Sequence, residues 1–301
     1  MTDSAILDLL ADVGARVRGA VRPILGLRVD TDGKRHSASG DIEFRLDEVA
    51  EDAITDSLGS YPEIAVYTEG RGLVVRDSPK YLLVIDPVDG TRPARVGLEM
   101  CVVSIACCPW ASAKTLGSVS HACLVEIKSA RSVTAVRGGI VLVDGHVAPP
   151  PSHVHDLDRM AWSFELAGRP SLSVASLLAP IIDRSSLGGG VFVYASTAFS
   201  VLKVALGEMD AAVDIGGRVL RDLRPDRPFV GLQPYDIAAA KLIAEVAGCP
   251  FTDAWGRPLD DWPLLAAGPD PILSCLCASN PTLHGRLRHA IDAQFAAFGP
   301  P

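Results

Sequence analysis

Two carboxylates three residues apart, Asp86 and Asp89, stand in the run Val84-Ile85-Asp86-Pro87-Val88-Asp89-Gly90-Thr91. They follow the apolar segment Tyr81–Ile85, which reads as a buried strand. Pro87 cannot extend a strand ladder and Gly90 permits a sharp turn, so the carboxylates are expected to leave the sheet crowded on a tight turn. Like charges so close repel unless a cation lies between them, and hard oxygen ligands suit Mg²⁺. Gly90-Thr91-Arg92-Pro93 has the character of a helix start, whose free N–H groups favour a phosphate. Carboxylate, metal and phosphate are the chemistry these residue types support together.

Around this centre the chain reads as layered helix and sheet. Apolar residues at helical spacing predict amphipathic helices over residues 4–25 and 46–58. Strands are expected at Ile64–Tyr67, Tyr81–Ile85, Met100–Cys108, Ser118–Ile127 and Ser132–Val136, with breaks at Pro109 and Ser129-Ala130-Arg131. The Pro149-Pro150-Pro151 run is a stiff boundary between an N-terminal half, 1–150, and a C-terminal half, 151–301. Beyond it, units alternate: strands at Ala161–Glu165, Val191–Val193 and Ala211–Asp214, helices at Ser171–Ala179 and Thr197–Leu206, then a strongly helical 236–247. The expectation is an α+β half followed by an α/β half.

Bulk properties narrow the function. The 301 residues can bury a large core, and 48% hydrophobic content excludes a disordered chain. A net charge of -8 gives no general pull toward nucleic acid or an anionic membrane, so no partner of either kind is expected. The opening Met1-Thr2-Asp3-Ser4 lacks the positive and apolar segments of a secretion signal, and no apolar run spans a bilayer. Seven scattered cysteines without a zinc-type spacing fit reduced thiols in a cytoplasmic protein. Three further patterns carry no chemistry. Ser200-Val201-Leu202-Lys203 lies inside an apolar helix, His153 and His155 sit in a Pro-rich stretch, and Gly188-Gly189-Gly190 precedes a strand.

Asp86-Pro87-Val88-Asp89-Gly90-Thr91 resembles the metal-binding signature of the inositol monophosphatase family, Mg²⁺-dependent sugar and inositol phosphatases. Three more pieces match in order. Residues 40–51, with Asp47, are similar to the family's early segment. Tyr67-Thr68-Glu69-Gly70 takes the place of its Glu-Glu motif, and Tyr235-Asp236 of its Trp-Asp motif, with Gly248 beyond. The resemblance covers nearly the whole chain and implies an αβαβα layered sandwich.

Carried over residue by residue, the resemblance implies metal ligation by Glu69, Asp86, the Val88 carbonyl, Asp89 and Asp236. Two or three Mg²⁺ ions are implied, with Mn²⁺ as a substitute. It makes Asp47 and Thr91, with Glu69, the water-activating group, and places Asp89, Gly90, Thr91 and Asp236 against the substrate, with Ser196 either a further substrate contact or the N-cap of the next helix. Asp236 is expected as the N-cap of its helix. Four Arg residues spaced by three, Arg218 to Arg227, precede Asp236; Arg221 and Arg224 among them could grip a second anionic group, or the run is a solvated turn.

There are departures as well. Gly70 replaces the second Glu, Tyr235 replaces the Trp, and the inositol-recognising Glu falls, without gaps, at Phe229. The implied activity is hydrolysis of a small polyol, sugar or inositol phosphate, by a homodimer. Alternatives are a fructose 1,6-bisphosphate or 3′-phosphonucleotide phosphatase, or a non-hydrolytic binding relative.

Overall fold

The fold was analysed in a computed structural model, which describes residues 1–27, 44–223, 231–265 and 273–298. The early-motif residues 40–43, Arg224 and Phe229 lie outside the described residues. Helices α1 (Asp3–Val21) and α2 (Arg45–Leu58) open the chain. Strands β1 (Ile64–Thr68), β2 (Gly72–Val74) and β3 (Tyr81–Asp89) follow, then the short helix α3 (Thr91–Arg95). Strands β4 (Val102–Pro109), β5 (His121–Glu126), β6 (Ser132–Val136), β7 (Val141–Val143) and β8 (His146–Val147) complete an eight-stranded sheet of order β2-β1-β3-β4-β5-β6-β7-β8. All its neighbours are antiparallel except β1 and β3.

The second sheet is built from β9 (Ala161–Phe164), β10 (Gly190–Phe192), β11 (Ala211–Asp214), β12 (Phe251–Thr252) and β13 (Cys275–Ala278). Its order is β10-β9-β11-β13-β12, parallel through the first three strands and antiparallel after. Helices α4 (Ser171–Gly188), α5 (Thr197–Ala205), α6 (Gly216–Leu223), α7 (Pro234–Ala247) and α8 (Pro281–Phe298) surround it.

Alternation along the strands makes the layers. In the first sheet Ile64, Val66, Leu83, Ile85, Val103 and Ile105 face α1 and α2. Their neighbours Ala65, Tyr67, Leu82, Val84, Val102 and Ala106 face the other way, onto α5 and α7. Successive strand side chains point to opposite faces, so a strand apolar at every position is covered on both sides. The second sheet repeats this, with Ala212, Cys275 and Cys277 toward α5 and α7 and Trp162, Ala211, Val213 and Leu276 toward α4 and α8. The result is the αβαβα sandwich. All seven cysteines are buried and unbridged.

Several elements differ from the sequence reading, and strands β2, β7, β8, β12 and β13 were not anticipated at all. β3 does not stop at Ile85: pairing with β1 ends there, but pairing with β4 resumes at Asp89 after a register shift past Asp86. The irregularity absorbs Pro87, which has no N–H to give the ladder. α4 continues past Pro180 to Gly188, because its buried Ile181 and Ser185 extend the packed face. The Arg218–Leu223 stretch is helix α6 and not a turn. α8 was not anticipated, although its buried Leu283, Leu287, Ile291 and Phe295 recur every four residues.

Candidate active site

β3 carries Asp86, Val88 and Asp89 to the mouth between the two sheets, and Gly90 turns the chain there. Gly90 has φ 90°, and a Cβ would collide with the Met100 carbonyl oxygen and Ser196 Cβ. Only glycine fits such a corner. The helix that follows has five residues, too short to offer a well-developed dipole. One cavity is lined by Glu69, Asp86, Val88, Asp89, Gly90, Thr91, Ser196 and Asp236, and also by Arg92, Glu165, Arg169, Ala195, Gln233 and Tyr235.

Each β3 carboxylate is held by the fold through one oxygen. Asp86 Oδ1 accepts the Val88 N–H at 3.0 Å. Asp89 Oδ2 accepts from Ser196 Oγ at 2.7 Å, Ala198 N–H at 2.6 Å and Phe199 N–H at 3.4 Å. The acidic side chain thereby caps the first turn of α5, where the helix dipole favours negative charge. Asp236 Oδ2 accepts the Gln233 N–H at 2.7 Å. The residue expected as an N-cap is in fact the third residue of α7, reaching back to cap it, because Pro234 takes the first position. Glu69 follows β1, and the loop behind it is tied to Glu51. Glu51 Oε2 accepts Thr68 Oγ1 at 3.0 Å, and Oε1 accepts the Gly70 N–H at 2.9 Å.

The electrostatics follow from crowding. Burial, then the charges of Glu69, Asp89 and Asp236, raise the Asp86 pKa well above the carboxylate range. Burial pushes Asp89 up to about 6 against its hydrogen bonds, and burial with the Asp89 charge pushes Asp236 up to about 7. Such carboxylates cannot all ionise together without a counter-cation. Among the described residues, no three His, Cys, Asp or Glu side chains stand in ligand geometry as they lie. The donor set nevertheless fits a hard divalent cation. It is all oxygen, mutually repelling and anchored through one oxygen each at Asp86, Asp89 and Asp236, and among the described residues no His or Cys lines the cavity.

Thr91 and Asp47, 44 positions apart, meet beside this cavity. Thr91 Oγ1 stands 3.2 Å from Asp47 Oδ1 and 3.0 Å from the Val88 carbonyl oxygen, and Asp47 Oδ2 accepts the Phe44 N–H at 2.8 Å. Ser196, expected as substrate contact or cap, lines the cavity with its hydroxyl turned onto Asp89. Ala195 beside it holds φ 54°, a left-handed conformation uncommon for a residue with a Cβ and typical of functional turns.

Arg221 is a correction. It is absent from the cavity lining and stands 5.1 Å over the Trp255 ring, because α6 aims it at that indole. Among the described residues, the cations lining the cavity are Arg92, exposed, and Arg169, whose guanidinium grips Asp214 Oδ2 from Nε at 3.1 Å and Nη2 at 2.5 Å. Sequence reasoning missed Arg92, Arg169, Glu165 and Gln233. Arg92 adjoins the Asp-Gly-Thr motif and was findable; the others reach the cavity only through the folding of the second half.

The family model for the inositol monophosphatase family matches residues 2–294. The chain belongs to that family. It is 27% identical over 286 residues to the fructose-1,6-bisphosphatase/inositol-1-monophosphatase of Methanothermobacter thermautotrophicus, covering 92% of this chain and 93% of that protein. It is also 26% identical over 224 residues to the Nus factor SuhB of Vibrio cholerae, covering 72% and 74%. Among solved structures, the Thermotoga maritima IMPase superposes with a TM-score of 0.73 at 19% identity, covering 98% of each chain. The extragenic suppressor protein SuhB from Bartonella henselae gives 0.75 at 17%, covering 95% of this chain and 98% of that one. At those identities the solved structures speak for the fold, and the layered sandwich agrees with it. No described helix is long and apolar enough to cross a membrane.

Proposed function

We propose that this member of the inositol monophosphatase family is a divalent-metal-dependent phosphomonoesterase acting on a small polyol or sugar phosphate. The observation that carries the reading is the convergence of Glu69, Asp86, Asp89 and Asp236 on one cavity, with the Asp47–Thr91 pair at its side. Glu69, Asp86, Asp89, Asp236 and the Val88 carbonyl would hold Mg²⁺. Bound there, the ion supplies neutralisation of the phosphoryl charge and acidification of water.

The chain's own residues do the rest. Thr91 orients the attacking water through its hydroxyl, and Asp47, fixed by the Phe44 N–H, takes the proton. The water oxygen bonds to phosphorus as the ester P–O bond breaks in line, leaving inorganic phosphate and an alcohol that regains a proton. Arg92, exposed on the cavity lining, draws the anion toward a site rich in carboxylates. Seven unbridged, buried cysteines favour a cytoplasmic setting for this activity.

A bisphosphate substrate, as in one relative's name, would need a second anion contact, and Arg92 replaces Arg221 as the residue for it. Phosphate release from a panel of monophosphates and bisphosphates, with metal-stripped and Mg²⁺-replenished protein, tests the reading. Release on replenishment alone supports it. Release undiminished by stripping, or none from any ester, overturns it.

A further inference from the structure

We infer that Glu165 reads a free hydroxyl on the alcohol portion of the substrate, making it a specificity-determining residue of the cavity. This rests on the phosphatase reading of the same cavity and goes beyond it by naming what the leaving alcohol must carry. Glu165 directly follows β9, and its backbone N–H donates to the Val213 carbonyl oxygen at 3.0 Å, so its position is fixed by the second sheet. The residue is 5% exposed and lines the cavity with Asp89, Thr91 and Asp236. Its Oε1 is buried and has no hydrogen-bond partner.

A purely structural carboxylate would be expected to pair with the nearby guanidinium. The Arg169 charge does act on Glu165, but its guanidinium donates to Asp214 and, from Nη1, to the Ala167 carbonyl oxygen at 2.8 Å, and leaves Oε1 without a hydrogen bond. Buried polar atoms are almost always satisfied, so an unsatisfied oxygen at a cavity wall marks a place where a ligand completes the bonding. The chemistry of that ligand group follows by elimination. A phosphoryl oxygen would meet a carboxyl group among other acids, and a cation has four better-placed carboxylates. A hydroxyl both donates and accepts, so it satisfies Oε1 whether Glu165 is ionised or neutral. Polyol and sugar phosphates carry such a group, and simple alkyl phosphates do not.

The test uses two non-hydrolysable probes, 3,4-dihydroxybutylphosphonate and butylphosphonate, bound to full-length protein in Mg²⁺ and measured by calorimetry. Wild type should prefer the dihydroxy compound by about tenfold or more, the scale of one hydrogen bond to a charged or buried partner. Glu165→Leu should erase that preference, and Glu165→Gln, which keeps the shape and a polar tip, should retain part of it. Thermal melts identify any variant that has lost its fold, and the near-isosteric Gln variant then decides. An equal preference in wild type and both variants, or none in wild type, overturns the inference. Failure of both probes to bind overturns it too. Preference without phosphate release from glycerol phosphate would leave Glu165 in place and remove the hydrolytic reading instead.

Discussion

Asp89 joins the site to the fold, so its replacement separates two effects. Asp89→Ala removes the acceptor for the Ser196 hydroxyl and the Ala198 and Phe199 N–H groups. The Ser196 hydroxyl keeps the Asp89 carbonyl oxygen, 3.3 Å away, as an acceptor, so two buried N–H donors are left unpaired, which should cost about 2–4 kcal/mol. Asp89→Asn keeps an oxygen for the same donors while removing the charge. The folded-state pKa of Asp89 is raised to about 6 from an ordinary value near 4. The stability associated with its protonated form is therefore present at low pH and lost as pH rises from about 4 through 6, at most about 3 kcal/mol. The Asn variant has no such loss.

In metal-free protein at pH 8, Asp89→Asn should thus be as stable as wild type or more so, and Asp89→Ala clearly less. Added Mg²⁺ should stabilise wild type clearly more than either variant. Urea unfolding at pH 5 and pH 8, with and without Mg²⁺, gives all the numbers. If the Ala variant matches the Asn variant, the capping role of Asp89 is refuted. If Mg²⁺ stabilises the Asn variant as much as wild type, its role as a ligand is refuted.

Other perturbations have equally definite outcomes. Thr91→Ala should lower kcat about a hundredfold with little change in KM, because the hydroxyl acts on water and not on the ester; steady-state kinetics showing a raised KM at unchanged kcat would contradict this. Arg92→Ala should reduce kcat/KM for bisphosphates about tenfold more than for monophosphates, whereas Arg221→Ala, stacked on Trp255, should change neither more than about twofold; the reverse pattern in the same assay would restore the Arg221 assignment. Gly70→Glu should destabilise the protein by about 2 kcal/mol, since a Cβ there lies 2.9 Å from Glu51 Oε1, and a thermal melt at wild-type Tm would show that the loop yields freely.

What the sequence disclosed depended on how local each feature was. The Asp86–Thr91 run was legible because its proline, glycine and carboxylates are contiguous and determine their own turn. The apolar strand runs were legible for the same reason, and the four ordered motifs led, through the family resemblance, to the layered sandwich. The Asp47–Thr91 contact spans 44 positions and came only through the family resemblance. Glu165 and Arg169 share the loop after β9 while Gln233 precedes α7, and no spacing rule in the sequence ties that loop to the carboxylates of β3. Pro180 looked like a helix end because its missing N–H weakens a helix, yet tertiary packing carried α4 past it. The Arg run looked like a rim because its charges are evenly spaced, but α6 buries Arg218 against Phe295 and sends Arg221 to Trp255. The missing inositol-recognition Glu was sought at Phe229 by ungapped counting, a position outside the described residues.

Counting bound metal tests the central claim most directly. Mn²⁺ titrated into metal-stripped protein should lose its free-ion electron paramagnetic resonance signal as it binds. Two or three ions per chain are expected for wild type, and at least one fewer for Asp86→Asn and Asp236→Asn, with all three proteins equally folded by circular dichroism. Phosphate release should return in step with the bound ions in wild type. No Mn²⁺ uptake by wild type, or identical uptake by both variants, would contradict a divalent metal site built from these carboxylates.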